Sequence, residues 1–284
     1  MDGRTVSTLK LFFYVSLGDE EIHFSEGTQL KNHIANLGVI YAHMNHVDHY
    51  VLTYGIEFHE FCQAFPDLSN LLLLRHRYED GNFNLHTLLE YVDADSIKRL
   101  IEDNVAAYGD FCWIDFDDEE ALNRLDGQEI AELLYLGHIK NHLRIPFYRK
   151  LNNRFAYLSH EDGWLNKTYY RTMDDFYITL GSSISMKLND KGEKTFFGRR
   201  KRKEIPEIPV EILYPFIEEM KEGMIISIEK AVHTRTSVEI PIWVIGDFYD
   251  MEEMYEEYKE IHDRPLDGKI VFDRKEKEWK AYVK

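Results

Sequence analysis

Apolar and polar residues alternate at the start of the chain, which predicts a β-strand that the turn Gly18-Asp19 joins to a second strand. The apolar positions of the first strand are Leu9, Leu11, Phe13, Val15 and Leu17. A similar rhythm of two strands and a helix begins near residues 38, 70, 154 and 224. Because short hairpin connections join antiparallel strands, we predict an α+β fold of mostly antiparallel hairpins interleaved with helices.

The stretch 28–54 fits two interpretations. A helical face would contain Leu30, His33, Ile34, Leu37, Tyr41 and Met44. However, Gly38 is followed by Val39, Ile40 and Tyr41, which favours a new strand. We prefer a helix to about residue 36, followed by strands near 38–44 and 47–54.

Other patterns make more specific predictions. Alternation over 83–91 predicts one strand, and helices are predicted over 128–143, 172–188, 210–221 and 250–262. Helix 128–143 is apolar on nearly every side, which predicts a central position in the core. Helix 250–262 is amphipathic, with a polar side formed by Glu252, Glu253, Glu256, Glu257 and Glu260.

Charge is distributed very unevenly along the chain. Residues 191–203, called the basic segment below, contain seven Lys or Arg and one Glu, which gives +6. Because the whole chain carries −17, the remaining 271 residues sum to −23. Pro206 and Pro209 follow the basic segment. We therefore predict one large unit or two: a domain over 1–189, a mobile basic linker over 190–208 and a smaller domain over 209–284.

Composition limits the class of protein. An apolar fraction of 44% and 14% aromatic residues can build a folded core. Two cysteines, Cys62 and Cys112, are too few for a disulfide framework and indicate free thiols in a reducing compartment. The run Leu11–Leu17 is too short for a signal peptide, and no apolar run approaches the ~18 residues that span a bilayer. These features predict a cytoplasmic protein with no membrane partner.

The basic segment is the main candidate binding site. Its Arg and Lys residues suit contacts with carboxylates or phosphates, and two phenylalanines precede them. The candidate residues are Phe196, Phe197, Arg199, Arg200, Lys201, Arg202 and Lys203. We predict a protein partner or a neighbouring subunit of a homo-oligomer, with the acidic side of helix 250–262 as one possible contact. Nucleic acid is possible but is disfavoured by the net charge.

A metal site is the alternative. His138 and His142 lie four residues apart, so they share one side of a helix, and Asp115 and Asp117 begin an acidic run. Together they could hold a divalent metal in a hydrolase of a phosphorylated substrate. The histidines could instead interact with the helix dipole, and the acidic run could begin a helix. The chain lacks the Gly-x-Ser-x-Gly, Gly-x-x-x-x-Gly-Lys and Gly-x-Gly-x-x-Gly motifs. We therefore favour a non-enzymatic binding or regulatory protein without a cofactor.

Overall fold

The computed structural model describes residues 38–65, 68–74, 78, 80–102, 111–136, 145–160, 165–190 and 204–284. The predicted first hairpin and the helix before residue 37 lie outside these residues. Thirteen strands form one sheet, in which all paired neighbours are antiparallel, as predicted. They are β1 (Val39–Asn45), β2 (Tyr50–Tyr54), β3 (Asn70–Leu73), β4 (Asn82–Asn84), β5 (Leu89–Val92), β6 (Phe111–Phe116), β7 (Phe155–His160), β8 (Leu165–Tyr170), β9 (Met224–Ser227), β10 (Val232–His233), β11 (Ser237–Val244), β12 (Gly268–Asp273) and β13 (Glu278–Val283).

The order across the sheet is β13-β12-β11-β9-β1-β2-β8-β7-β6-β3-β5-β4, and β10 pairs with β11. Helices and short 3₁₀ turns cover the sheet. The helices are α1 (Phe58–Ala64), α2 (Ala94–Glu102), α3 (Glu119–Asn123), α4 (Gly127–Leu136), α5 (Met173–Asp190), α6 (Ile217–Lys221) and α7 (Met251–Lys259). The 3₁₀ turns are Val210–Ile212, Tyr214–Phe216 and Glu260–Asp263.

The sheet is buried on both faces. Successive side chains of a strand point to opposite faces, so β1 sends Ile40 and Ala42 into one apolar cluster and Val39 and Tyr41 into another. Helices α1, α2 and α5 cover the first face, called the α5 face below. Helices α3, α4 and α7 cover the second, called the α7 face. The result is a sheet between two helical layers.

Helix α7 confirms the prediction for 250–262. The Asp250 side chain caps it by accepting hydrogen bonds from the backbone N–H groups of Glu252 (2.8 Å) and Glu253 (3.4 Å). Met254, Tyr255, Tyr258 and Ile261 are buried, as their spacing predicts. The predicted hairpin over 38–54 is also present, since Asn45 pairs with Tyr50 across a four-residue turn.

The prediction of one strand over 83–91 was wrong. The alternating residues form two strands, β4 and β5, with a turn between them. The Asn84 side chain accepts hydrogen bonds from the backbone N–H groups of His86 (3.2 Å) and Thr87 (2.9 Å). Such bonds from an Asn side chain favour a turn over a strand. Leu88 has a φ of 57°, which no regular strand contains.

Two helix predictions were also wrong in part. Helix α4 does not lie centrally in the core: only Leu133 and Leu136 are buried along its described length, whereas Leu134 and Tyr135 are exposed. The predicted helix 210–221 consists of two 3₁₀ turns before the short helix α6. Pro215 explains this break, because proline lacks an N–H group and clashes with the preceding helical turn.

Strands on both sides of the segment 190–208 belong to the same sheet. Strand β9 lies between β1 and β11, and their side chains share one core cluster. Ile205 and Ile208 are buried in that cluster as well. The end of the predicted linker is therefore packed against the fold, while the division into domains 1–189 and 209–284 stays a prediction.

Candidate binding surface

The residues that flank the basic segment in the chain are fixed at one place on the α5 face. The Asn189 side chain, at the end of α5, donates to the Ile205 carbonyl (3.0 Å) and accepts from the Ile205 N–H (3.0 Å). One turn earlier, the Ser185 hydroxyl accepts from the Ile208 N–H (3.2 Å), and the Trp279 indole donates to the Pro206 carbonyl (3.1 Å). Asn189 and Ile205, which lie on either side of the basic segment in the chain, are therefore direct neighbours in the fold.

A cleft of about 580 Å³ lies beside this point. Its lining contains three cations, one carboxylate and two apolar residues: Arg235, Arg274, Lys277, Glu204, Pro206 and Phe272. Among the described residues, none of the three cations has an ion-pair partner, and the Arg274 Nε atom is buried without a hydrogen-bond acceptor. This group of residues is called the basic cleft below.

The basic cleft is formed by the pairing of two neighbouring strands. In the β11–β12 register Ser237 lies opposite Asp273, and the Arg274 N–H donates to the Thr236 carbonyl (2.8 Å). The residues just outside this pair therefore converge at one end of the sheet. Arg235 belongs to the loop before β11, and Arg274 and Lys277 belong to the turn after β12.

The acidic side of α7 points away from the sheet into solvent, on the face opposite the α5 face. Glu252, Glu253, Glu256 and Glu260 are exposed, whereas the buried residues of α7 contact the α7 face. Two cations neutralise part of this surface: Lys259 pairs with Glu256 (2.6 Å) and Arg264 with Glu257 (3.4 Å). The fold therefore holds the residues that flank the basic segment and the acidic side of α7 on different faces.

This separation limits contacts within one molecule. The 15 residues between Asn189 and Ile205 are held together at these two points, so their backbone can extend at most roughly 25–27 Å outward and back. Two helical layers, each about 10 Å across, and the sheet between them already take up that distance. The acidic side of α7 in a second molecule, or in another protein, has no such restriction.

The predicted site residues have different positions relative to the described structure. Phe196, Phe197, Arg199, Arg200, Lys201, Arg202, Lys203, His138 and His142 lie outside the described residues. Asp117 is exposed, and the Asn152 amide donates to its carboxylate (3.1 Å). Within the described ranges there is no group of three or more His, Cys, Asp and Glu placed to hold a metal ion. The metal site stays a prediction.

Asp115 has an evident structural role. Its carboxylate is buried and accepts hydrogen bonds from the backbone N–H groups of Arg154 (2.9 Å) and Phe155 (3.0 Å). Burial raises the pKa of Asp115 to about 7, although these hydrogen bonds act in the opposite direction. Later in the same acidic run, Asp118 caps α3 by accepting from the Ala121 N–H (2.8 Å). Part of the run therefore begins a helix, as one interpretation of the sequence held.

The segment 246–250, between β11 and α7, is bound to the α7 face by side chains of the sheet. Three of these side chains form hydrogen bonds with its backbone: Tyr41 with Gly246 (3.0 Å) and Phe248 (2.9 Å), Tyr54 with Phe248 (3.3 Å), and Lys167 with Tyr249 (3.0 Å). In addition, His43 Nδ1 lies 2.8 Å from Asp247 Oδ1. The segment is thus fixed immediately before the acidic helix.

Lys167 is a buried cation in this cluster. Its Nζ atom lies 5.7 Å from the centre of the Tyr54 ring and 5.4 Å from that of Tyr169, beside a cavity of about 30 Å³. Burial lowers the pKa of Lys167 to about 8, and nearby Asp250 opposes this shift. The rings and the Tyr249 carbonyl stabilise the charged form locally. We interpret Lys167 as a structural cation that holds the segment 246–250.

This position predicts a pH dependence. Between pH 8 and pH 10.5 the unfolded chain keeps the Lys167 proton that the folded chain has lost, so this group makes the free energy of unfolding rise with pH. We expect the free energy of unfolding of the wild type, minus that of Lys167→Met, to increase from pH 8 to pH 10. Urea denaturation at several pH values measures it. Parallel pH profiles for the two proteins would contradict a lowered pKa for Lys167.

The residues of the basic cleft were missed by the sequence analysis. Arg235, Arg274 and Lys277 follow no recognised spacing, since they come from two separate loops. The sequence patterns did not predict the pairing of β11 with β12, which brings these loops together. The available signal was the basic character of both loops, which matters only once the strands are known to be neighbours.

Comparison with protein-family models, with curated proteins and with solved structures finds no match for this chain. In the part of the chain that the structure describes, no helix has the length and apolar character needed to cross a membrane. The function must therefore be argued from the surface and charges of the fold itself.

Proposed function

We propose that this chain is a non-enzymatic binding or regulatory protein that acts through protein–protein contacts. In this proposal the basic segment engages an acidic surface of a partner protein or of a neighbouring subunit. The observation that carries it is the position of the Asn189–Ile205 hydrogen bonds, which hold the residues flanking the basic segment on the face opposite the acidic side of α7. This separation of the flanking residues from the acidic side of α7 supports contact of the basic segment with another molecule.

Electrostatics supports this role. A segment of +6 on a chain of −17 creates two regions of opposite sign, which speed and orient the encounter of complementary surfaces. The same charges on one compact surface would largely cancel each other. Since exposed charges more than about 10 Å apart are screened at 0.1 M salt, the association should weaken as salt is added.

The test removes charge from the basic segment. We expect Arg199→Gln/Arg200→Gln/Lys201→Gln to weaken self-association at 50 mM NaCl about tenfold, with a parallel loss of binding to a labelled peptide of residues 250–262. Sedimentation velocity measures the first, and fluorescence anisotropy measures the second. The physical reason is the loss of three cations from the contact.

Lys275→Gln/Lys280→Gln/Lys284→Gln provides the matched control. These three lysines are exposed on the terminal hairpin, and their replacement changes the net charge by the same amount. If the wild type neither self-associates nor binds the peptide, or if both triple variants behave alike, the basic segment has no specific role and the proposal is wrong.

A further inference from the structure

We propose that the basic cleft is a binding site for a phosphate-class oxyanion, carried on a small organic group or a phosphorylated side chain. This inference is independent of the proposed function. The cleft residues belong to 204–284, whereas the proposed protein contact uses residues 191–203. The two ideas can therefore fail separately.

The first argument is charge. The lining of the cleft holds Arg235, Arg274 and Lys277 against one carboxylate, Glu204, so its formal charge is +2. A phosphate monoester carries about −1.5 to −2 at neutral pH, which matches this charge, whereas a single carboxylate would leave a cation uncompensated. Because no carboxylate other than Glu204 lines the cleft, an anion bound there would meet a net positive charge.

The second argument is the state of Arg274. Its backbone is fixed by the hydrogen bond to the Thr236 carbonyl, and its Nε atom is buried without an acceptor among the described residues. A buried donor without an acceptor is costly, and an oxyanion bound to the guanidinium group of Arg274, which lines the cleft, would offset part of this cost. The planar guanidinium also suits the two-point contact that a phosphate group makes.

The third argument is size. The cleft volume of about 580 Å³ falls within the roughly 300–1,000 Å³ range of small-molecule pockets. It is larger than a bare oxyanion requires, so the anion is expected to carry a further group. The side chains of Phe272 and Pro206 line the cleft and supply an apolar wall for that group. The basic segment is not a suitable occupant, because its own charge is +6.

The experiment measures binding of inorganic phosphate by calorimetry at pH 7.5, with sodium chloride matching the ionic strength. We expect saturable binding to one site in the wild type, weakened about tenfold or more in Arg274→Gln and in Arg235→Gln/Lys277→Gln, since each loses charge-assisted hydrogen bonds. Lys280→Gln, an exposed lysine outside the cleft, serves as the control and should bind within twofold of the wild type. Thermal melting of each variant confirms that it is folded.

Two further arms define the ligand. O-phosphoserine that binds more tightly than inorganic phosphate would show that the cleft recognises the attached group. Malonate that binds as tightly as phosphate would overturn the phosphate assignment. Two results would overturn the site. One is the absence of saturable phosphate binding, and the other is equal affinity in the wild type and in the cleft variant Arg235→Gln/Lys277→Gln. Arg199→Gln/Arg200→Gln/Lys201→Gln should bind phosphate normally, which separates this site from the proposed protein contact.

Discussion

Gly223→Ala is expected to destabilise the fold by about 4 kcal/mol or more, because the site has neither the backbone conformation nor the space for a methyl group. Gly223 has a φ of 81°, which a residue with a side chain rarely adopts. An added Cβ atom would lie 1.8 Å from the Gly246 carbonyl oxygen and 2.8 Å from the Tyr41 hydroxyl. The strand β9 and the segment 246–250 would therefore have to separate.

Gly127→Ala is the matched control for this prediction. Gly127 begins α4, and an added Cβ atom there meets nothing within 4 Å. Because alanine favours the helix over glycine by up to about 1 kcal/mol, this variant should be as stable as the wild type or slightly more stable. Urea denaturation followed by circular dichroism compares the three proteins. A Gly223→Ala variant within about 0.5 kcal/mol of the wild type would show that the close approach is not rigid.

Asp115→Ala is expected to cost about 3–4 kcal/mol, because it leaves one buried and one partly buried backbone donor without an acceptor. These donors are the N–H groups of Arg154 and Phe155, at the start of the central strand β7. Asp115→Asn keeps one oxygen that can accept from both, so we expect it to lose less than half as much. Chemical denaturation measures the order. If the two variants were equally unstable, the hydrogen bonds to the backbone would not be the main role of this carboxylate.

The pH dependence of the same residue gives a separate readout. Because burial raises the pKa of Asp115 to about 7, the folded chain holds a proton that the unfolded chain releases above pH 4. This group therefore makes the free energy of unfolding fall as pH rises from about 4 to 7, by at most about 1.4 kcal/mol per pH unit. The stability deficit of Asp115→Asn relative to the wild type should shrink over this range. A constant deficit would contradict a raised pKa.

Local patterns predicted local structure well. Helix 250–262 was predicted with its buried and exposed sides because its apolar residues recur with a 3.6-residue period. The hairpin β1–β2 was predicted because β-favouring residues follow Gly38 directly. Where a single side chain decides, as Asn84 does in the turn between β4 and β5, the alternation of apolar residues gave the wrong answer.

Relationships between distant elements were not predictable from these patterns. The apolar character of α4 suggested a central helix, but burial depends on how much of the sheet is left for a helix to cover. The basic cleft depends on the pairing of β11 with β12, which no local period specifies. The residues that flank the basic segment and the acidic side of α7 lie on different faces of the sheet. This placement depends on how the chain connects the strands, which no local period specifies either. The sequence could predict the charges but not their separation.

The position of β9 in the sheet also has a consequence for synthesis of the protein. Strand β1 pairs on one side with β2, which follows at once, and on the other side with residues 224–227. At ~5–20 residues per second, the ribosome needs on the order of 10–35 s to make the roughly 170 residues between β2 and β9. Throughout that interval, the apolar edge formed by Val39, Ile40, Tyr41 and Ala42 lacks its partner. The nascent chain should therefore be most prone to aggregate, and most dependent on chaperones, before β9 emerges.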